Sequence, residues 1–384
     1  MKKRTTNITI AVLCLALAGI FAFFGFPATS AQTVTRNPQS NTPTPTPTVR
    51  TVPTPMMTPT VTPTPTPTPD VFADDEPIRI ETEEVNLNVR VVDRNNRPIN
   101  NLRQSDFKVY ENNVLQDITS FTTAEVPTNY ALVIDNSGSL RHQLDKIIEA
   151  SKIIVNTNRQ DDETSVIRFV SSDKIEIAQD FTSNKSDIIE ALDNLFIEGG
   201  PTAIIDAVYL AAERVSEHEK SRNPNEKKRR ALILVSDGED RDSYYKEAQL
   251  FELLRESDVQ IYTVGFVNEL DKQGGFIRKS PRDKAVNLMK RLAEETGGKA
   301  YFPTSLNELN TIAQDIASEL RTQYLVTYSP NHDNRGGTFY PIKVVVNDGP
   351  DKQKRIAITR TGRTASAETK GGAPTLQNTK PRVQ

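Results

Sequence analysis

Five polar side chains in three short segments have the types and spacing of a site for a hard metal ion. Asp135, Ser137 and Ser139 alternate along one segment and offer a carboxylate and two hydroxyl oxygens. Thr202 and Asp237 add a hydroxyl and a second carboxylate from two later segments. Oxygen ligands of this kind suit Mg²⁺ or another hard divalent ion such as Mn²⁺ or Ca²⁺, whereas zinc favours Cys and His.

The elements that would bring these side chains together are strands of a buried sheet. One apolar run, residues 131–134, ends at Asp135, and a second, residues 231–235, ends two positions before Asp237. Thr202 follows a Gly-Gly-Pro turn and opens a helical pattern. Because ligands bind beyond the carboxyl ends of strands in open α/β sheets, the three loops are expected to meet at one edge.

Strand and helix patterns alternate throughout residues 128–321. This alternation predicts an α/β fold with a doubly wound, mainly parallel sheet. The flanking segments 77–127 and 322–363 show period-two strand patterns and no helix pattern. Each is too short to bury a core alone, so we expect them to form one small β module. The basic run 227–230 is interpreted as a solvated loop before a strand.

The pattern of Asp135, Ser137, Ser139, Thr202 and Asp237 resembles the metal-ion-dependent adhesion site (MIDAS) of von Willebrand factor type A (VWA) domains. The segments GGPTAIIDA and LILVSDGED are also similar to those domains, and the resemblance covers roughly residues 128–321. The flanking β segments are similar to a VWA-containing subgroup from acidobacteria. The resemblance implies a Rossmann-like fold, direct coordination by the two serines and the threonine, and aspartates that act directly or through water. It also implies that a partner's carboxylate fills the open coordination position.

Other roles are open to the same side chains. Ser139 and Thr202 are also residue types that cap helices, and Asp237 suits the Ser-Asp-Gly turn in which it lies. We interpret Asp206 as a structural residue. Each role on its own is common, but all five residues at matching strand ends favour a metal site.

The N-terminal segment has the composition of a targeting signal. Basic residues 2–4 precede an apolar run from Ile8 to Phe26, and small residues before Gln32 suit cleavage. The run is also just long enough to span a bilayer, which takes ~20 apolar residues. Residues 1–31 are therefore either a cleaved signal peptide, which we favour, or a retained membrane anchor. The folded part is expected in the periplasm, on the cell surface or in the medium.

The segments outside the folded part have simple compositions. Residues 32–76 are rich in Thr and Pro, which predicts an extended, disordered spacer whose composition also suits O-glycosylation. Residues 364–384 are polar, which predicts a disordered tail. The single cysteine, Cys14, lies in the leader, so we expect no disulfide in the folded part.

Three functions agree with these patterns. The preferred one is an exported, non-enzymatic adhesion module that recognises an exposed Asp or Glu of a protein through its metal ion. The second is a structural envelope protein with a stabilising metal site. The third, a Mg²⁺-dependent hydrolase, is disfavoured because the sequence has neither a GxxxxGK[ST] loop nor a GxSxG elbow, and its histidines form no evident acid–base set. The net charge of −3 gives no indication of a nucleic-acid partner.

Overall fold

The structure is a computed structural model, and it describes residues 84–123, 126–222, 228–270, 279–331, 337–365 and 377–378. All of them belong to the unit Pro77–Gln384, one of two compact units of the chain. The predicted leader, 1–31, and the predicted spacer, 32–76, lie outside the described residues, as does most of the predicted tail. No helix in the described ranges combines the length and the hydropathy needed to cross a bilayer.

The strands in chain order are β1 (Val85–Val92), β2 (Phe107–Glu111), β3 (Val114–Gln116), β4 (Ile118–Thr122), β5 (Thr128–Asp135), β6 (Glu163–Phe169), β7 (Ile175–Thr182), β8 (Arg229–Ser236), β9 (Gln260–Gly265), β10 (Ala300–Tyr301), β11 (Tyr324–Tyr328), β12 (Phe339–Val346), β13 (Ile356–Ile358), β14 (Gly362–Thr364) and β15 (Gln377–Asn378). The α-helices are α1 (Leu144–Asn156), α2 (Lys185–Asp193), α3 (Ile204–Arg222), α4 (Glu247–Glu256), α5 (Pro281–Thr296) and α6 (Leu309–Glu319).

The central sheet has the strand order β10-β9-β8-β5-β6-β7-β15. The five strands from β10 to β6 are parallel, β7 is antiparallel to β6, and β15 pairs parallel with β7. Helices α3, α4 and α5 cover one face, while α1, α2 and α6 cover the other. The prediction of a doubly wound, mainly parallel α/β fold is confirmed.

Strand β5 lies between β8 and β6 at the centre of this sheet, and all its residues are buried. Ala131 and Val133 face the core under α3, whereas Leu132 and Ile134 face the core under α1. A strand buried on both faces needs apolar residues at every position, which explains the continuous apolar run in the sequence. After this apolar run the strand ends at Asp135, whose polar side chain begins the site loop.

The segments on either side of the α/β domain form the predicted joint β module. Two antiparallel sheets, ordered β13-β1-β11-β4 and β14-β12-β2-β3, combine strands from both segments. Their inner faces share one core, which includes Leu87, Phe107, Tyr324 and Val344. The ring centroids of Phe107 and Tyr324 lie 5.0 Å apart. Neither segment could assemble this core alone, because each sheet takes strands from both.

Buried polar contacts join the β module to the amino-terminal edge of the central sheet. Arg229, at the start of β8, donates hydrogen bonds to the carbonyls of Leu320 (3.0 Å) and Gln323 (2.6 Å). The Gln323 amide in turn donates to Gln260 Oε1 (2.9 Å) and to the Tyr262 hydroxyl oxygen (2.8 Å). The interpretation of the basic run as a solvated loop is therefore wrong for Arg229, which is 2% exposed. Its buried guanidinium fixes the chain between α6 and β11 through these two hydrogen bonds.

Replacing Arg229 with Met should lower the free energy of unfolding by about 3 kcal/mol, because two buried carbonyls would lose a charged donor. Urea denaturation of the full chain measures this loss. Arg94→Ala is the matched control, since Arg94 is exposed in a turn of the β module and should change stability by less than about 0.5 kcal/mol. Equal losses in the two variants would contradict a stabilising role for the buried guanidinium.

Candidate metal centre

The carboxylate of Asp135 is fixed at the carboxyl end of β5. The residue is fully buried. Its Oδ1 accepts a hydrogen bond from the Ser137 amide (2.8 Å), and its Oδ2 accepts one from the Ser236 hydroxyl (2.6 Å). The Ser236 oxygen also accepts a hydrogen bond from the Gly238 amide (3.1 Å). This chain of hydrogen bonds ties the loop after β5 to the loop after β8.

The environment of Asp135 disfavours an isolated negative charge. Burial raises the pKa of the Asp135 carboxyl to about 6, although hydrogen bonds from Ser236 and Ser137 act in the opposite direction. The nearby charge of Asp237 adds to the increase in the pKa. Two acidic groups brought together in this way favour a cation between them, because an opposite charge restores the ionised form.

Two hydroxyl groups meet in the first site loop. Ser137 Oγ lies 2.9 Å from Ser139 Oγ, and Ser139 is exposed to solvent whereas Ser137 is buried. Neither hydroxyl caps a helix, since the short 3₁₀ turn that starts at Gly138 receives no side-chain cap and α1 begins later, after Gln143. The alternative role of Ser139 as a helix cap is therefore wrong.

Thr202 comes from the loop before α3 and is held against the third loop. Its carbonyl oxygen accepts hydrogen bonds from the amides of Arg241 (2.8 Å) and Asp242 (3.1 Å). Its hydroxyl makes no hydrogen bond within the described ranges. Gly200, two residues earlier, has φ +153°, and a Cβ there would lie 2.7 Å from Val170 Cγ1. Glycine is thus required for the close approach of this loop to the sheet.

Asp237 combines two of the roles considered for it. Its Oδ1 accepts a hydrogen bond from the Glu239 amide (3.0 Å), as expected for a residue that stabilises the Ser-Asp-Gly turn. No described residue donates to its second oxygen, and the side chain lines the cleft between the three loops. The turn therefore orients the carboxylate without occupying both oxygens.

The cleft at this edge of the sheet has a volume of about 340 Å³. Its lining includes four of the five predicted ligands, and the buried Asp135 lies directly behind the two serines. The rest of the lining consists of Gly138, Leu140, Gln143, Gly200, Glu239, Arg241, Phe266, Glu269 and Leu270. The structure therefore brings the three predicted loops together, while metal coordination by the five residues stays a prediction.

The donor set fits a hard cation. Within the described ranges, no group of three or more His, Cys, Asp or Glu side chains is placed to hold a metal ion. The two aspartates would need oxygen ligands of another type, and the three hydroxyls of Ser137, Ser139 and Thr202 supply them. A set of five oxygens with solvent on one side suits Mg²⁺, which prefers octahedral geometry and usually retains water ligands.

Two residues that shape the site were not identified from the sequence. Ser236 orients Asp135, as described above. Asn136 joins two loops, because its side-chain amide donates to the carbonyl of Phe196 (2.7 Å) and its own carbonyl accepts from the Glu198 amide (3.0 Å). Their only signal in the sequence was a position beside a predicted ligand.

Asp206 has the structural role expected from the sequence. One of its oxygens accepts from the Tyr244 amide and the other from the Tyr245 amide, each at 2.8 Å. The Ser172 hydroxyl adds a third hydrogen bond at 2.5 Å. These contacts fix the chain before α4, and Asp206 is not among the described residues that line the cleft.

Residues 129–315 match the sequence model of the family described as the von Willebrand factor type A domain. An uncharacterised protein of Synechocystis sp. is 30% identical over 146 residues, which make up 37% of this chain and 32% of that protein. The match thus spans about a third of the relative's length.

Several solved structures are similar to part of the chain. An aerotolerance-related membrane protein from Bacteroides fragilis is 20% identical, with 50% of this chain and 98% of that chain covered and a TM-score of 0.37. A von Willebrand factor type A protein from Catenulispora acidiphila is 12% identical, with coverage of 66% and 72% and a TM-score of 0.41. Proximal thread matrix protein 1 from the mussel byssus, with a zinc-occupied MIDAS motif, is 16% identical, with coverage of 51% and 48% and a TM-score of 0.40.

Replacing Ser236 with Ala should remove the stabilisation that we expect Mg²⁺ to give to the folded protein, because the Asp135 carboxylate would lose the donor that orients it. The metal-free variant should also lose about 1–3 kcal/mol of stability. The measurement is urea denaturation of the full chain with Mg²⁺ and with EDTA.

Ser165→Ala is the matched control for this experiment. Ser165 is fully buried in β6, and its hydroxyl donates to the Gln179 carbonyl (2.8 Å), away from the three loops. The control should lose similar stability in EDTA but keep its response to Mg²⁺. An equal response to Mg²⁺ in both variants would exclude an orienting role for Ser236.

Proposed function

Since residues 129–315 form a von Willebrand factor type A domain, we propose that this domain binds a divalent cation and, through the cation, an acidic side chain of a protein partner. The proposed ligands are Asp135, Ser137, Ser139, Thr202 and Asp237. The observation that carries the proposal is the meeting of three hydroxyls and two carboxylates at one solvent-accessible edge of the sheet.

One of the five proposed ligand residues faces the solvent. Ser139 is exposed, whereas Asp135, Ser137, Thr202 and Asp237 are buried. A bound ion would supply positive charge at the exposed side, where water ligands exchange for an incoming carboxylate. Three of the five protein ligands are neutral hydroxyls, so they add no charge that would repel that carboxylate.

Mg²⁺ is the cation that we favour, with Mn²⁺ and Ca²⁺ as alternatives. All five ligands are hard oxygens, and no Cys or His among the described residues lines the cleft. Ca²⁺ takes six to eight oxygens in flexible geometry, whereas Mg²⁺ takes six and usually keeps water among them. Three hydroxyls as direct ligands, with the aspartates acting directly or through water, would leave room for those waters and agree better with Mg²⁺.

We place the domain outside the cytoplasm. Support for this comes from the basic and then apolar N-terminal segment and from the Thr/Pro-rich residues that follow it. An extended spacer of this composition would hold a binding domain away from a membrane or wall. Recognition of nucleic acid is not part of the proposal. The net charge is −3, and the one basic side chain among the described residues of the cleft lining, Arg241, pairs with Glu239.

A metal site that only stabilises an envelope protein is the second candidate. The observation that favours it is the complete burial of Asp135, since both of its oxygens already hold neighbouring loops together. An enzyme is a weaker candidate, because VWA domains are typically binding modules. In addition, His218 lies at the other end of the sheet, where it contacts Glu163 at the start of β6.

Replacing Asp135 with Ala should weaken Mg²⁺ binding by more than about tenfold, since even residues that only support metal ligands cost about 10–100-fold. Calorimetric titration of the full chain with Mg²⁺ or Mn²⁺ measures the affinity. Ser139→Ala should also reduce it, and this exposed residue makes one side-chain contact in the described part of the chain, so the fold should persist. Asp145→Ala, at the exposed start of α1, is the control. Unchanged affinity in both site variants would contradict the proposed ligand set.

Binding of the partner should require both the metal ion and Asp135. Immobilised full-length protein should retain an envelope protein of the source cell in Mg²⁺, and EDTA, Asp135→Ala or an excess of free glutamate should each release it. The free amino acid competes because its side-chain carboxylate would take the same open coordination position. Retention that survives EDTA and the Asp135→Ala change would favour the structural candidate instead.

A further inference from the structure

We propose that an open groove beside the metal cleft binds additional acidic residues, so that the partner presents an acidic segment rather than a single carboxylate. This inference rests on the proposed function and extends it to the class of partner. The groove, here called the α5 groove, lies between the loop after β8 and helix α5, and its volume is about 740 Å³. It shares the lining residue Glu239 with the metal cleft, so the two sites are adjacent.

Three lysines carry the argument. Lys279, Lys284 and Lys290 line the α5 groove, and all three are exposed. No acidic side chain in the described ranges forms an ion pair with any of them. The ammonium group of Lys290 lies 6.0 Å from the ring centroid of Phe302. Because this ring carries no net negative charge, the contact does not cancel the charge of the lysine. The groove therefore holds three ammonium groups that form no ion pair within the described part of the domain.

The acidic residues that line the same groove are mostly engaged. Glu239 pairs with Arg241, and Glu247 lies 2.5 Å from Arg291. Asp240 accepts hydrogen bonds from the Ile205 amide (3.1 Å) and the Ser243 hydroxyl (2.5 Å). Glu294, which is exposed, is the one remaining acidic lining residue. The amide and the hydroxyl do not cancel the charge of Asp240, so the three lysines face two carboxylates, those of Asp240 and Glu294, that no described cation pairs. The described lining therefore keeps a small excess of positive charge.

The metal cleft itself offers little positive charge beyond its cation. Among the described residues Arg241 is the one basic side chain of its lining, and this side chain already pairs with Glu239. The apolar side chains of Leu140, Phe266 and Leu270 supply much of the remaining lining. A second or third acidic residue of a partner would therefore be attracted towards α5 and not towards the rest of the cleft rim.

The lysines are spread both along and around α5. Lys284 and Lys290 are six positions apart, which corresponds to ~9 Å along the helix axis and to about 120° of rotation around it. Several acids of one segment can approach such separated charges, whereas a single carboxylate cannot. Exposed ion pairs are individually weak, but together they should raise the affinity about tenfold at low salt, and added salt should reduce the gain.

Two fluorescent peptides test the inference by anisotropy with the full chain in saturating Mg²⁺. Both peptides are ten residues long and consist of Gly and Ser apart from their glutamates. One peptide has a single Glu, and the other has four. The variant carries Lys279→Glu, Lys284→Glu and Lys290→Glu. The matched control carries Lys108→Glu, Lys343→Glu and Lys354→Glu, three exposed positions in the β module. Inorganic polyphosphate of similar charge serves as a third probe.

The wild type should bind the four-Glu peptide about tenfold more tightly than the single-Glu peptide. The groove variant should lose this difference while retaining its affinity for Mg²⁺ and for the single-Glu peptide, and the control should match the wild type. Equal affinity of the wild type for both peptides would overturn the inference and leave the proposed function intact. Two other results would overturn the inference in favour of a separate anion site. One is lysine-dependent binding of polyphosphate that is tighter than binding of the four-Glu peptide. The other is binding of the four-Glu peptide that persists in EDTA.

A failure of the proposed function would give a different result. In that case the single-Glu peptide would not bind at all in Mg²⁺, and Asp135→Ala would bind both peptides as the wild type does. This result would also overturn the inference, since the α5 groove is proposed to extend a metal-bridged contact. The two peptides and the two kinds of variant therefore distinguish two cases. In one, the α5 groove does not bind additional acids; in the other, the metal site does not bind a carboxylate.

Discussion

The site depends on one buried carboxylate, that of Asp135, and on the two hydrogen bonds that orient it. A charged group at the end of a central strand is costly unless it is paired or hydrogen-bonded, and here the donors are the Ser137 amide and the Ser236 hydroxyl. The same bonds hold the loop after β5 against the loop after β8. The residue that would carry the negative charge of a metal site is therefore also the residue that organises its loops, so a metal ion bound there would also affect local stability.

The parallel register of the sheet explains why residues far apart in the chain meet at this carboxylate. In the β5–β8 pair Ile134 is opposite Val235, so Asp135 and Ser236 are the next residues along both strands. In the β5–β6 pair Asp135 is opposite Phe169, whose carbonyl accepts from the Asn136 amide (2.9 Å). Both contacts follow from strands that end level with one another, as the carboxyl edges of parallel sheets do.

This geometry also separates what the sequence predicts from what it does not. The α/β fold and the joint β module were predictable because continuous apolar runs and period-two runs report burial directly. The meeting of the three loops followed from the same strand assignments. The roles of Ser236 and Asn136 were not predictable, since each depends on a hydrogen bond to a residue on another strand or loop. Arg229 was misinterpreted for the same reason: a basic run looks solvated until the carbonyls that it caps are known.

The β module lies at the amino-terminal edge of the central sheet and the metal cleft at its carboxyl edge. Helix α5 runs between these two edges. At its carboxyl end α5 is held by the β module, since the Thr361 amide donates to the Glu295 carbonyl (3.1 Å) and Gly297 lies too close to Thr359 for any Cβ. At its amino end Lys284 lines the α5 groove beside the metal cleft. An anchored helix keeps the backbone positions of its charged residues at a set distance from the cleft. In the proposed contact with an acidic segment, the β module, which is remote from the proposed ligands, would thus hold one wall of the groove in position.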